Sequence, residues 1–207
     1  MAEEPEWLRL TRELAAMAQT GLAFTQDRFD QARYQRLREI AARMLAQGSD
    51  AHYELILESL RREQGYTTPK VDVRGAVFKD GKVLLVQELT DGKWTLPGGW
   101  ADVNQAPRQC VEREIREESG FEAHAQKLAA VYDFQTRNRP HSRDSIYKLF
   151  FVCALTGGAA RPSDETSDVG FFAPDALPPL SEGRSNAAQI RRMFEHQADP
   201  ALPADFD

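Results

Sequence analysis

The pattern of apolar positions divides the chain into two parts. Residues 1–67 repeat apolar side chains at helical spacing, which predicts three amphipathic helices. Gly21 is expected to break the first helix, Thr25 to cap the second, and Gly65 to end the third. The first stripe is Trp7, Leu10, Leu14 and Met17; the second is Phe29, Leu37, Ile40, Ala41, Met44 and Leu45; the third is Tyr53, Ile56, Leu57 and Leu60.

From Val71 onward the pattern changes to that of strands. The runs VDVRGAVF and KVLLVQE flank Asp80-Gly81, a dipeptide typical of a hairpin turn. Further strands are predicted around residues 94–96 and in the runs KLAAVYDF, IYKLFFVCAL and VGFFAP, and a closing helix over residues 185–196.

A further helix is predicted between Pro107 and Gly120, because proline suits a first helical turn and glycine a helix end. Helices before, between and after the strands predict an α/β fold, an α/β/α sandwich with a mixed sheet. We expect this domain over residues 68–207, preceded by a small all-helical region over residues 1–67.

Composition and charge limit the choice of function. The chain has 207 residues, of which 42% are hydrophobic and 28% charged, as expected for a folded protein. Its formal charge of −6, with nine Arg, no Lys and eleven acidic residues in residues 1–65, argues against DNA binding. No apolar run predicts a membrane span or signal peptide, and Cys110 and Cys153 fit no metal or disulfide pattern, so we expect a cytoplasmic protein.

Three carboxylates share one side of the helix predicted after Pro107. At about 100° per residue, Glu117 and Glu118 lie about 60° to one side and 40° to the other side of Glu114. Like charges this close repel one another, and a hard cation such as Mg²⁺ or Mn²⁺ would offset that repulsion. The alternative is a solvated acidic face. The Gly98-Gly99 turn before the helix favours the metal site.

The stretch from Leu96 to Phe121 resembles the Nudix box. That pattern reads Gly, five residues, Glu, seven residues, then Arg-Glu-hydrophobic-any-Glu-Glu-any-Gly-hydrophobic. Starting at Gly99, every position matches except Gln105, which stands where the family has Glu. The resemblance implies a Nudix fold and a pyrophosphohydrolase, in which Glu114, Glu117 and Glu118 bind Mg²⁺ or Mn²⁺ and Arg113 orients them. With Gln105 the usual ion pair to Arg113 becomes at best a neutral hydrogen bond, which leaves the metal count open.

The expected reaction is hydrolysis of a nucleoside diphosphate linked to another moiety. Bound metal would lower the pKa of an attacking water, and Gly98 and Gly99 would let the backbone approach metal and phosphates closely. The general base would be Glu118 or a carboxylate outside the box, such as Glu165 or Asp144.

Several cations are candidates for substrate binding. Arg74 and Lys148 interrupt apolar strands, where a charge marks either a pocket or a solvated strand edge. The loop QTRNRPHSRD carries Arg143 among other basic residues, and it either holds substrate phosphates or is simply solvated. Its remaining basic members are Arg137, Arg139 and His141.

The helical extension and the segment PPLSEGRSNAAQI resemble a Nudix subgroup of CDP-choline and ADP-ribose pyrophosphatase-like proteins. This resemblance implies a homodimer. Base recognition stays open: the aromatic side chains that could stack on a base, but could equally be packing residues, are Tyr66, Trp100, Tyr132 and Phe134. The alternative function is a non-catalytic Nudix-like module that senses a nucleotide sugar. Retention of the box carboxylates argues against it.

Overall fold

The computed structural model describes residues 5–137 and 142–207. These residues form two compact units. The first contains residues 5–69 together with 142–145, and the second contains residues 70–137 together with 146–207. Within the described residues, no helix is both long enough and apolar enough to cross a bilayer.

The first unit is a bundle of three helices. They are α1 (Glu6–Phe24), α2 (Arg28–Gln47) and α3 (Tyr53–Arg62). Their small core has as its buried members Leu8, Ala42, Leu45, Ile56 and Leu57. Leu45, Ile56 and Leu57 belong to the predicted stripes, whereas Leu8 and Ala42 do not, and Leu10, Met17 and Phe29 of those stripes are exposed. So small a core buries little apolar surface.

Gly21 does not break the first helix. It lies inside α1, where an added Cβ would meet the ring of Tyr34 at 2.4 Å. The glycine therefore permits a close approach of α1 and α2 instead of ending the helix. The predicted cap at Thr25 is also wrong, because Asp27 caps α2 by accepting hydrogen bonds from the N–H groups of Phe29 and Asp30.

The second unit is built on a seven-stranded mixed sheet. The strands are β1 (Lys70–Lys79), β2 (Lys82–Glu88), β3 (Trp94–Thr95), β4 (Phe121–Asp133), β5 (Ile146–Gly158), β6 (Thr166–Phe172) and β7 (Asp205–Phe206). Their order in the sheet is β3-β2-β1-β5-β4-β7, with β6 also paired to β2. The neighbours β1 and β5 are parallel, as are β4 and β7, whereas the other pairs are antiparallel.

The hairpin between β1 and β2 follows the sequence prediction. Asp80 and Gly81 both have positive φ, 51° and 71°, as a two-residue hairpin turn requires. The predicted strands and closing helix are all present, whereas β7 and the single turn α5 (Phe134–Arg137) were not predicted.

Helices cover both faces of the sheet. On one face, Val111 and Ile115 of α4 (Pro107–Ser119) pack on β1, together with the free and buried Cys110 and Cys153. On the other face, α6 (Ala187–Ala198) packs through Ile190 and other apolar residues. The predicted α/β/α sandwich is therefore confirmed. Because α4 buries one side against the sheet, the side that bears its glutamates is left at the border of the core.

Candidate active site

The acidic side of α4 lines a cleft of about 670 Å³ in the second unit. Glu118 is buried, Glu114 is largely buried, and the Glu117 side chain is 51% exposed. The cleft is lined by Asp72, Arg74, Glu88, Gly98, Gly99, Trp100, Asp102, Arg113, Glu114, Glu117, Glu118, Phe134, Ile146, Lys148, Ser163, Asp164, Glu165, Gly183 and Arg184.

The glycine turn reaches the helix through Gly98. Its N–H donates to Oε2 of Glu118 at 2.8 Å. Gly98 has φ of 145°, and an added Cβ would meet the carbonyl oxygen of Val73 at 2.0 Å. Only glycine fits here, because both the φ and the close backbone contact exclude a side chain.

Burial disfavours the charged form of the carboxylates in the cleft. It raises the pKa of Glu118 to about 8, although the charge of Arg74 and the Gly98 N–H act in the opposite direction. Burial likewise raises the pKa of Glu114 and of Glu88, in each case against the effect of a neighbouring arginine. The carboxylates also repel one another, and either protonation or a bound cation would offset that repulsion.

Arg113 connects the helix to the loop before it. Its Nη1 lies 2.7 Å from Glu117, and its Nη2 lies 2.9 Å from Glu114 and 2.8 Å from Asp102. Its Nε donates to Gln105 Oε1 at 3.3 Å, the neutral contact expected from the sequence. The guanidinium therefore has four partners, two on α4 and two on the loop.

Arg74 is buried and paired within its own strand. It donates to both carboxylate oxygens of Asp72, at 2.8 and 2.7 Å, and to the carbonyl of Leu96 at 3.2 Å. Burial alone would lower the pKa of Arg74, but the charge and hydrogen bonds of Asp72 outweigh it and raise that pKa. The structure thus puts a compensated, permanently charged guanidinium inside the cleft.

Lys148 is a second buried cation, and burial lowers its pKa to about 7. Its Nζ donates to the carbonyl oxygens of Gly183 and Arg184 and lies 5.4 Å from the centre of the Phe134 ring. In the sheet it stands directly beside Asp72, because those two residues are paired between β1 and β5.

Most of the residues selected from the sequence meet in this cleft, but Arg143 does not. Arg143 belongs to the helical unit, where its Nη1 donates to Ser59 at 2.6 Å, and Asp144 belongs there too. Arg139 and His141 lie outside the described residues. The selected residues that line the cleft are Arg74, Gly98, Gly99, Arg113, Glu114, Glu117, Glu118, Lys148 and Glu165.

Five charged residues of the cleft were not selected from the sequence, and one of them is Asp164, beside Glu165. Asp72 had a signal, since it shares a strand face with Arg74 two residues later. Glu88, at the end of β2, pairs with Arg184 at 3.0 Å. Arg184 lies in the segment PPLSEGRSNAAQI, which was noted in the sequence only because it resembles a Nudix subgroup. Asp102 lies in the loop between the glycines and Gln105.

The atoms of the cleft that could ligate a metal ion are oxygens, the ligand type that a hard divalent ion prefers. Among residues 5–137 and 142–207, however, no three His, Cys, Asp or Glu side chains are gathered to hold one ion. Glu114 and Glu117 are paired with Arg113, and Glu118 with the Gly98 N–H.

Fold and cleft together define a class of protein. The family described as "NUDIX domain" matches residues 68–194, and the family described as "UDP-X-like, N-terminal oligomerisation domain" matches residues 5–60. The chain belongs to the Nudix hydrolases, enzymes that split phosphoric anhydride bonds and generally use divalent metal ions.

Similar proteins match both units. The chain is 38% identical over 204 residues to "Putative ADP-ribose pyrophosphatase YjhB" of Bacillus subtilis, covering 99% of this chain and 98% of that protein. A crystal structure of a UDP-X diphosphatase is 35% identical with a TM-score of 0.63, covering 98% of each chain. A crystal structure of an ADP-ribose pyrophosphatase from Streptococcus suis is 41% identical with a TM-score of 0.63, covering 68% of this chain and 100% of that one.

Proposed function

We propose that this enzyme hydrolyses the diphosphate linkage of a nucleoside diphosphate joined to a second moiety, of the ADP-ribose or CDP-choline type. The products are a nucleoside monophosphate and a phosphorylated moiety. One observation carries the proposal: the carboxylates of α4, the Gly98-Gly99 turn and buried cations line the same cleft. The names of the similar proteins, which mention ADP-ribose and UDP-X, support this substrate class.

In the proposed site, Glu114, Glu117, Glu118 and the backbone of Gly98 would hold Mg²⁺ or Mn²⁺. Such an ion would supply positive charge that offsets the diphosphate and lowers the pKa of a water molecule. Arg74, whose charge is largely compensated by Asp72, supplies a guanidinium to the cleft for the anionic substrate, and Lys148 supplies a second cation below its pKa of about 7. Gly99 lies against the Glu114 carboxylate and leaves the backbone accessible to phosphate oxygens.

Two carboxylates are candidates for the base that takes the proton from water. Glu118 is buried in the cleft, where its Oε2 accepts from the Gly98 N–H. Glu165 is exposed on the loop before β6 and would act if Glu118 is occupied by metal. Replacing each by Gln separates them: loss of the base lowers kcat by about 100-fold or more, whereas loss of a metal ligand also weakens Mn²⁺ binding.

The test of the proposed function is a hydrolysis assay with ADP-ribose, CDP-choline and a UDP-sugar in Mg²⁺ or Mn²⁺, which detects released phosphomonoester. We expect EDTA to abolish turnover and Mn²⁺ to restore it. Glu117→Gln and Glu118→Gln should each lower kcat by at least about 100-fold, since losing even the partner of a metal ligand costs about 10- to 100-fold.

The control for these variants is Glu122→Gln, which removes an exposed carboxylate outside the box. All three should melt within a few degrees of the wild type. Full turnover in excess EDTA or in either box variant would disprove the mechanism. Tight nucleotide binding without any hydrolysis would instead favour the sensing module.

We also propose that residues 1–67 form a dimerisation region and residues 68–207 the hydrolase domain, and that the enzyme is a homodimer. The match of residues 5–60 to a family described as an oligomerisation domain supports this assembly. The cytoplasmic location stays a prediction from the sequence.

A further inference from the structure

Gln105 leaves Arg113 without the carboxylate that the Nudix pattern places eight residues before it. The amide oxygen of Gln105 accepts from Arg113 Nε, but at 3.3 Å and without charge. Hydrogen bonds with an ionised acceptor are shorter and about twice as strong as neutral ones. Gln105, which stands where the pattern has the glutamate, therefore makes the weakest of the contacts to Arg113.

Asp102 supplies the missing charge. Its Oδ2 lies 2.8 Å from Arg113 Nη2, within the range of about 2.7 to 2.9 Å typical of charge-assisted hydrogen bonds. The Arg113 side chain is 22% exposed and that of Asp102 is 58% exposed, so the arginine end of the pair is partly shielded from water. Of the two loop contacts, this one is both shorter and ionic.

The loop is built so that Asp102 and Gln105 reach the same guanidinium. Ala101 donates to the Val71 carbonyl at 2.9 Å, which fixes the chain just before Asp102. Asn104 has φ of 63°, a left-handed conformation that Asn tolerates and that turns the chain. Beyond the turn, Ala106 donates to Gln109 Oε1 at 2.9 Å and fixes the start of α4. Asp102 thus stands on a short segment tied at both ends.

The four partners of Arg113 divide into two pairs. Glu114 and Glu117 lie on α4 and are the proposed metal ligands, whereas Asp102 and Gln105 lie on the loop. Only the loop partners are free of a metal-binding role. We propose that Asp102 is the positioning residue for Arg113 in this enzyme and replaces the box glutamate absent at Gln105. This inference rests on the proposed function, which assigns the α4 carboxylates to metal.

A double-mutant cycle tests this replacement. The four proteins are the wild type, Asp102→Asn, Gln105→Glu and the combination, with Mn²⁺ affinity measured by calorimetry and kcat and KM measured on the best substrate. Asp102→Asn alone should weaken Mn²⁺ binding and lower kcat by about 10-fold, the lower end for partners of metal ligands. Gln105→Glu alone should change both by only about twofold, and in the double variant it should restore most of the loss.

The matched control is Asp175→Asn, which removes an exposed carboxylate in a turn outside the cleft. Melting temperatures of all variants check that the loop change leaves the fold intact. Two outcomes would show that Asp102 does not replace the box glutamate. In the first, Asp102→Asn has the same Mn²⁺ affinity and kcat as Asp175→Asn. In the second, Asp102→Asn lowers the Mn²⁺ affinity and kcat as much in the presence of Gln105→Glu as it does alone. The Mn²⁺ affinity is measured without turnover, so the coupling between Asp102 and Gln105 can be determined even if no substrate is hydrolysed. The absence of hydrolysis would contradict only the proposed function.

Discussion

At the scale of single residues, the Lys148 ammonium is hydrogen-bonded to the backbone of its own chain. Its ammonium donates to two successive backbone carbonyls, those of Gly183 and Arg184. The Arg184 side chain in turn lies 3.0 Å from Glu88. Lys148 therefore fixes the loop that brings Arg184 into the cleft, in addition to the substrate role predicted for it.

Replacing Lys148 by Met tests this fixing role. The change keeps the length of the side chain and removes the ammonium, leaving two carbonyl groups without their donor. We expect KM to rise several-fold as the loop loosens. The free energy of unfolding should fall by no more than about 1–3 kcal/mol, because the unsatisfied carbonyls are offset by removal of a buried charge.

The matched control for this prediction is Lys127→Met, a partly exposed lysine that donates to the Pro200 carbonyl at 3.1 Å. Steady-state kinetics and urea unfolding of both variants give the answer. If the two variants have the same KM, Lys148 does not shape the cleft.

At the scale of elements, the end of the chain ties α6 to the sheet. Asp205 in β7 accepts from the Tyr132 hydroxyl of β4 at 2.9 Å, and from Arg192 of α6 at 2.5 and 2.7 Å. The hydrogen bonds from Arg192 are the largest cause of a pKa of Asp205 well below its usual range. The carboxylate therefore holds the helix and strand together only while it is ionised.

Asp205→Asn should destabilise the fold in a pH-dependent way. Because the folded-state pKa is lowered, the carboxylate contributes stability above its unfolded pKa of about 3.9 and loses it as pH falls toward the folded value. At pH 7 we expect a loss of about 1–2 kcal/mol, reduced because the site is partly exposed. The difference from the wild type should shrink below about pH 4.

Urea unfolding between pH 7 and pH 3 measures this difference. Asp175→Asn is the control, and its free energy of unfolding should differ from that of the wild type by the same amount at every pH. A gap between Asp205→Asn and the wild type that stays equal down to pH 3 would contradict the role assigned to Asp205.

At the scale of the whole molecule, α1 exposes a line of apolar side chains. Leu10, Met17 and Phe24 follow at intervals of seven, and their exposed fractions are 42%, 54% and 69%. A seven-residue interval keeps them on one side of the helix, as in the contact line of a coiled coil. An exposed apolar line of this kind suits association, and in the proposed homodimer a second copy of the chain would cover it.

The full-length protein is expected to be a dimer in light scattering, and a chain starting near Pro69 to be monomeric or insoluble. Leu10→Glu with Met17→Glu should give a monomer that keeps its helical circular dichroism, because both side chains are exposed. Gln35→Glu, at an exposed position of α2, is the control and should stay dimeric. A monomeric full-length chain beside a folded, dimeric truncation would reject this assembly.

The sequence by itself determined the features that depend on near neighbours. The turn at Asp80-Gly81, the helix from Pro107 to Gly120 and the shared side of Glu114, Glu117 and Glu118 all follow from fixed helical and strand periods. These periods act over a few residues, so a single sequence contains all the information needed. The sandwich followed in turn, since each element had one apolar face to bury.

Only the tertiary structure decided which distant charges meet. The pairing of Asp72 beside Lys148 depends on the register of β1 and β5, and that of Glu88 with Arg184 on where a loop passes the end of β2. No local period specifies a register between strands more than 70 residues apart, nor the path of a loop. For the same reason Arg143 was a candidate phosphate ligand in the sequence, yet in the fold it donates to Ser59 and lies 3.7 Å from Asp144.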